Sequence, residues 1–295
     1  MSAAAAVRMP VMAASRAVAA SKPAVRAAAA TLPLRHRALR AVATPRNQRQ
    51  RGSSLIVYAN WGAPVEFKAG KVVSNEKEAE KQQRLMVQMG DGASLYTTAG
   101  QYIQAKFGEE GKAGYFAIAS PPGADKENGL VELLVKEQEG ANHQLCAAQA
   151  GASLLVSAPL GKGFAVDTVP PAQFPTVLVF ATGTGISPIK ALIESGTLQV
   201  KQRKDVRVYY GVRSKDWVAF ADSIPQWEAA GVKVIPVYSE QGGGYVQDAF
   251  AKELDGVDWA GGVAAVLCGQ KDMAVTITEL LTSKGVAKEH ILSNF

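Results

Sequence analysis

Gly183-Thr184-Gly185 stands between two contrasting stretches, and together they could hold a phosphate. Upstream, Val177 to Phe180 is an apolar run without polar alternation, as a strand buried on both faces requires. Downstream, Ile186, Ile189, Leu192 and Ile193 recur on one side of a helical pattern. Pro188 falls in the first helical turn, where its missing N–H costs nothing. Strand, glycine turn and helix in that order aim unpaired N–H groups and the positive dipole end at an anion, and glycine lets the backbone approach it closely. The full G-x-G-x-x-G fingerprint is absent because position 188 is Pro.

Cys146 and Cys268 are the only cysteines, and the histidines stand at 36, 143 and 290. No C-x-x-C pair or Cys/His cluster exists to bind zinc or an iron–sulfur cluster, and no disulfide framework is possible. No metal site is expected, so redox chemistry must rest on an organic cofactor. Cys268 has no identifiable His or Asp to activate it, and reads as a small buried hydrophobe closing a strand.

The string GTGISP, with Cys268-Gly269-Gln270-Lys271-Asp272-Met273 after it, resembles the nicotinamide-binding half of the ferredoxin–NADP reductase superfamily. The resemblance covers roughly residues 64 to 295. It implies that Thr182, Gly183, Thr184 and Gly185 close over a pyrophosphate, and that Cys268 and Gly269 lie beside the nicotinamide, with Cys268 shaping the pocket for hydride transfer. Relatives that use NADPH read its 2′-phosphate with a Ser-Arg pair and a following Tyr. Here Tyr238-Ser239 stands at the Ser-Arg positions, Tyr245 matches the Tyr, and Arg213 is another candidate cation. NADPH and NADH both remain open.

The first half resembles the flavin domain of the same superfamily. AGQYIQAKF is similar to its A/P-G-Q-Y/F strand, and GYFAIASPP to its R-x-Y-S-(I/L)-A-S segment. That match implies FAD contacts from Tyr115, Phe116, Ala117 and Ile118, with Phe116 as the stacking aromatic. LVELLVKEQEGANHQL resembles the strand and G-x-x-S/T helix start that hold the flavin diphosphate. It implies contacts from Leu133, Val135 and Lys136, and from Gly140, Asn142 and His143 at a short helix over 141–147. SAPLGKGF resembles a turn in the electron-transfer subunits of dihydroorotate dehydrogenases. The family's diphosphate Arg is Gly114 here, its flavin-edge Ser is Ala117, and a helix-start hydroxyl is His143. One charge-assisted hydrogen bond contributes roughly 1.5–3 kcal/mol, so flavin affinity falls tenfold to a hundredfold unless Lys136 or His143 compensates. Phe295, the final residue, matches the terminal aromatic that covers the flavin in many relatives, while Ser293 stands where plant reductases carry a Glu.

The elements that must position these residues fall into two sets. Short strands from Val65 to about Val166, with turns between them, suggest an antiparallel β-barrel. Strand and helix then alternate to Ile291–Phe295, which implies a Rossmann-like parallel sheet whose ligand crevice lies at the strands' carboxyl ends. The expected fold class is therefore a flavin-binding barrel over 60–170 followed by an NAD(P)-binding α/β domain over 171–295.

The first 59 residues belong to neither. Up to Val65 there is no Asp or Glu, against nine Arg and Lys22 in an Ala-rich stretch. That is the composition of an organelle transit peptide, and Val57-Tyr58-Ala59 is similar to a stromal processing site, so the chain is expected in the chloroplast stroma. Without those ten basic residues, 22 Lys and Arg face 26 Asp and Glu, a net charge of about −4. No argument for nucleic acid survives, and no apolar run reaches the ~18–20 residues of a membrane span.

The sequence supports hydride transfer between NAD(P)H and FAD, with electrons passed to an unnamed small molecule or carrier protein. Two alternatives stay open: a nucleotide-binding regulatory or assembly protein that has lost turnover, and a reductase in which the nicotinamide acts directly on a small molecule.

Overall fold

The computed structural model describes residues 65–294, which belong to one compact unit. The expected leader over 1–59 and the terminal Phe295 lie outside the described residues. Six antiparallel strands come first: β1 (Phe67–Ala79), β2 (Gln82–Gln88), β3 (Tyr102–Lys106), β4 (Gly114–Ala117), β5 (Leu130–Lys136) and β6 (Ser153–Ser157). They lie in the order β4-β3-β6-β1-β2-β5. A bridge between Ile118 and Leu133, with the Ala119 N–H donating to Glu132 O at 2.8 Å, joins the chain after β4 to β5 and closes the sheet into a barrel. Leu85, Val87, Ile103, Phe116 and Leu133 fill its interior. Helix α1 (Ala141–Ala147) follows β5 where the sequence places it.

The first strand runs further than its hydrophobic pattern, which ends at Val73. β1 continues through Ser74–Ala79, a polar stretch with no apolar alternation to announce it. The ladder persists because Lys81 takes up a left-handed φ of 54° in the turn to β2, and because the hairpin tip is docked. Glu78 accepts the Phe220 N–H, and the Glu80 N–H donates to Asp216 O at 2.8 Å. Both partners belong to the second half of the chain.

That half is a parallel sheet of β7 (Thr176–Thr182), β8 (Asp205–Val212), β9 (Val232–Tyr238), β10 (Val263–Cys268) and β11 (Ile291–Ser293), in the order β11-β10-β7-β8-β9. Helices α2 (Ile186–Glu194), α3 (Ile224–Ala229), α4 (Val246–Glu253) and α5 (Lys271–Ser283) cover it. The apolar run of β7 divides by strand period. Val177, Val179 and Ala181 enter the core under α2, and Leu178 and Phe180 enter the core with Phe250 and Ile277. Each large side chain so buried contributes about 1.5–3 kcal/mol. Pro236 lies in β9, at the sheet edge, where a strand can lack an N–H. After β9 the chain returns to the far side of β7. The strand order therefore reverses between β7 and β10, and ligands of such sheets bind beyond the carboxyl ends at that point.

Among the described residues no helix is long and apolar enough to cross a membrane, and no group of three His, Cys, Asp or Glu could hold a metal ion.

Candidate functional site

The loops after β7 and β10 meet at the reversal point with almost no space between them. A Cβ on Gly185 would stand 2.3 Å from the Cys268 carbonyl oxygen, and one on Gly269 would stand 2.0 Å from Thr182 Oγ1. Thr182 Oγ1 accepts the Gln270 N–H at 2.8 Å, locking one loop to the other. Gly185, expected to admit a pyrophosphate, thus admits the neighbouring backbone. Gly183 behaves differently. It has a left-handed φ of 53°, and a Cβ there would meet no protein atom within 4 Å. The cradle is open at Gly183 and closed at Gly185.

In front of these loops lies a cleft of about 2090 Å³ whose walls come from both sheets. All of the expected nicotinamide-site residues line it: Thr182 to Gly185 and Cys268-Gly269 at the reversal point, with Arg213, Ser239 and Tyr245 from the loops after β8 and β9. Tyr245 is exposed, and its N–H donates to Asp248 Oδ2 at 2.8 Å in a capping box that starts α4. Arg213 lies over the Trp217 ring, 4.8 Å from its centroid, with Glu240 4.0 Å from Nε.

Cys268 is buried, and that burial pushes its thiol up to about 12 against an opposing hydrogen bond from Asn294. The thiol is therefore protonated at neutral pH and is no nucleophile. Alkylation of the native protein at pH 8 should leave Cys268 unmodified, and unfolding should expose it to the reagent. Fast native labelling at Cys268 in a peptide map would contradict this.

The barrel wall divides the expected flavin-side residues between its core and the cleft. Phe116 is 4% exposed and packs in the barrel core, with its ring 2.7 Å from where a Gly114 Cβ would be. Ile118, Leu133 and Val135 point into the same core. The strand period decides this: residues 116 and 118 share the inner face of the chain, so Tyr115 and Ala117 face outward. Tyr115 is 64% exposed, lines the cleft, and sits with Tyr102 at a ring-centroid distance of 5.9 Å and an angle of 49°. Lys136 also lines the cleft. Gly140, Asn142 and His143 are not on its wall. Asn142 Nδ2 donates to Lys136 O at 3.1 Å, and His143 Nδ1 stands 3.7 Å from Glu137. The GKG turn lies in the cleft, with Gly161, Lys162 and Gly163 on the wall.

Sequence reasoning missed a buried ion cluster beside the site. Lys190 of α2 is 5% exposed, and its Nζ donates to Glu132 Oε2 of β5 at 2.7 Å and to Glu194 Oε2 at 2.9 Å. Arg84 of β2 pairs with the other oxygen of Glu132, and Trp227 Nε1 donates to Glu194 at 3.1 Å. The cluster ties the barrel to α2, the helix that begins at the glycine turn. Its signal was present: Glu132 and Lys190 are single charges inside otherwise apolar strings, LVELLV and ISPIKALI.

Residues 179–279 match the family model for the oxidoreductase NAD-binding domain. The chain is similar to a ferredoxin–NADP reductase B of Sorangium cellulosum, 25% identical over 224 residues, which span 70% of this chain and 88% of that protein. Another relative is the fruit protein pKIWI502 of Actinidia deliciosa, 34% identical over 210 residues. That match covers 67% of this chain and 66% of the relative, so the chain spans just under two thirds of it. A ferredoxin–NADP+ reductase of Neisseria gonorrhoeae, solved with FAD and NADP, superposes with a TM-score of 0.65 at 16% identity over 78% of this chain and 98% of that one. Residues 179–279 belong to the oxidoreductase NAD-binding domain family, and the described chain has the fold of the ferredoxin–NADP reductases. Barrel and parallel sheet follow the expected order.

The residues present fit both dinucleotides. The open cradle at Gly183 and the amino terminus of the nine-residue α2 suit a diphosphate. Tyr115 and Tyr102 of the barrel offer ring surface to a planar heterocycle in the same cleft.

Proposed function

We propose that the chain is an NAD(P)H-linked flavin oxidoreductase, with FAD on the barrel wall and a nicotinamide nucleotide on the parallel sheet, that delivers electrons to an acceptor outside the chain. One observation carries this reading: a single cleft is lined both by the glycine turn at the sheet's reversal point and by the exposed Tyr115 with its neighbour Tyr102. A bound flavin supplies the hydride and one-electron chemistry, which protein side chains lack. The chain's residues bind and orient. Gly183 and the first N–H groups of α2 receive a diphosphate, the Thr182–Gln270 bond fixes the β10 loop beside it, and Cys268 closes the floor as a neutral thiol. Tyr115 presents its ring to the heterocycle.

Titrating the full chain with FAD, followed by quenching of flavin fluorescence, tests this assignment. Tyr115→Ala should weaken FAD binding about tenfold, the most that one aromatic stack of roughly 0.5–1.5 kcal/mol provides, with folding stability unchanged. Phe116→Ala should lower stability by about 3–5 kcal/mol. The reverse pattern would return the stacking role to Phe116.

The Gly114 departure favours a second reading, a protein that keeps the nucleotide sites without turnover; reduction of bound flavin by NADPH separates the two. We further propose that residues 1–59 direct import into the chloroplast stroma, on the strength of their acid-free, Arg-rich composition. Mass spectrometry of the chloroplast protein should find an amino terminus near Asn60, and intact residues 2–59 would refute it.

A further inference from the structure

Phe220 holds a conformation that an aromatic residue rarely adopts. Among the described residues, Lys81, Gln199 and Phe220 are the non-glycine residues with a left-handed φ. Lys81 and Gln199 are exposed, whereas Phe220 is fully buried at a φ of 55°. A bulky side chain in that region is strained, and the strain persists only where the surroundings over-determine it.

The surroundings come from three elements. Arg84 of β2 stands over the Phe220 ring, 5.8 Å from its centroid, and Lys190 of α2 stands over it at 5.3 Å. The same two cations take the two carboxylate oxygens of Glu132 on β5. From the β8 loop itself, the Phe220 N–H donates to Glu78 at the β1–β2 hairpin tip, and Asp222 lies 3.6 Å from Arg84. Earlier in that loop, Gln82 Nε2 of β2 donates to Trp217 O at 3.1 Å, and Lys136 Nζ of β5 lies 5.5 Å from the Trp217 ring centroid.

Each of these elements leads to a wall of the cleft. Helix α2 begins at the glycine turn, and the β8 loop begins with Arg213 and carries Trp217 on the wall. The backbone of Glu132 holds the segment that presents Tyr115: its carbonyl accepts the Ala119 N–H at 2.8 Å and its N–H donates to Ser120 Oγ at 3.0 Å. Phe220, Arg84, Glu132 and Lys190 do not themselves line the cleft. They stand behind it, where barrel, glycine-turn helix and β8 loop are joined.

We propose that Phe220 is a positioning residue, wedged in a strained conformation between barrel, α2 and the β8 loop, that sets the separation of the flavin wall from the nucleotide wall. The proposal rests on the flavoprotein reading above. A hydride passes as one proton with two electrons, oxidising the nicotinamide and reducing the flavin, and its rate falls steeply when the two sites part by an ångström. A residue that touches neither ligand then controls the rate through spacing.

The test compares full-chain wild type with Phe220→Leu and with Glu78→Ala, which removes the barrel-side acceptor of the Phe220 N–H. Leu281→Ala, in the separate core that α5 covers, is the control for lost stability. Ligand-free proteins carry spin labels at Lys71→Cys on β1 and Lys252→Cys on α4, with Cys146 replaced by Ser, and the interlabel distance distribution is recorded beside the unfolding midpoint. Both interface variants should broaden the distribution, whereas the control should lower the midpoint and leave the distribution as narrow as in wild type. In FAD-loaded protein at saturating nucleotide, the first-order rate of flavin bleaching should fall about tenfold to a hundredfold in both interface variants, the range for reacting groups held an ångström out of place. Dissociation constants for FAD and for the nucleotide, each measured alone, should stay within about twofold of wild type, as for sites that the substituted residue does not touch. Wild-type bleaching rates, or an unbroadened distribution, in both folded variants would overturn the proposal and leave the flavoprotein reading intact. Dissociation constants that rise in step with the loss of rate would overturn it too, because Phe220 would then act on a binding site and not on spacing. A wild type whose flavin neither nucleotide bleaches would overturn the underlying reading and the positioning role with it.

Discussion

Lys190→Met should lower folding stability by about 3–5 kcal/mol, the range for removing one partner of a buried ion pair. The loss does not come from the missing contacts alone. Glu132 would remain buried with only Arg84 against it, and Glu194 would keep only the Trp227 N–H. Urea unfolding followed by tryptophan emission measures the shift. Lys204→Met is the control, because the Lys204–Asp258 pair is exposed and its loss should leave the unfolding midpoint almost unchanged. A Lys190 variant as stable as the control would mean that barrel and α2 are held together by other contacts. The cluster also fixes α2 against β5, so the same variant should weaken nucleotide binding more than its exposed control does.

The second large effect belongs to the glycine turn. Gly185→Val should displace the β10 loop, since its Cβ would lie 2.3 Å from the Cys268 carbonyl oxygen and 2.8 Å from that residue's carbonyl carbon. Overpacking of this kind costs about 1–3 kcal/mol in stability. Nicotinamide nucleotide affinity should fall about a hundredfold, as binding groups displaced by an ångström commonly do. Gly183→Ala makes the informative contrast. It meets no protein atom and carries only the left-handed backbone penalty of about 1–2 kcal/mol, so its nucleotide loss reports on ligand approach. Unchanged nucleotide affinity in a folded Gly185→Val protein would separate this turn from the binding site.

What the sequence made legible follows from how each element is stabilised. α1 matches its expected bounds and β5 lies in the string read as its strand, because an apolar run broken by one charge and a glycine-started helix are local signals. The polar extension of β1 was hidden, since its stability comes from ladder bonds and from docking at Phe220 and Asp216. The nicotinamide-side residues were legible because they sit at strand ends, where topology brings loops together. On the flavin side the motif match points to Phe116, whereas the structure buries that ring and exposes Tyr115. A motif match identifies the segment 114–120, but only the pleat decides which side chains face outward, and it turns Phe116 in and Tyr115 out. Trp217 and Gln82 carried no motif; the fold alone brings them to Lys136.

In the proposed function, one cleft holds a flavin and a nicotinamide nucleotide close enough to exchange a hydride. Anaerobic titration of the FAD-loaded full chain with NADPH and with NADH, recording the flavin absorption band, tests it most directly. The band should bleach with about one equivalent of the preferred nucleotide and return on admission of an oxidant, as expected when the cofactor carries the redox step. A flavin band that neither nucleotide changes would contradict the claim.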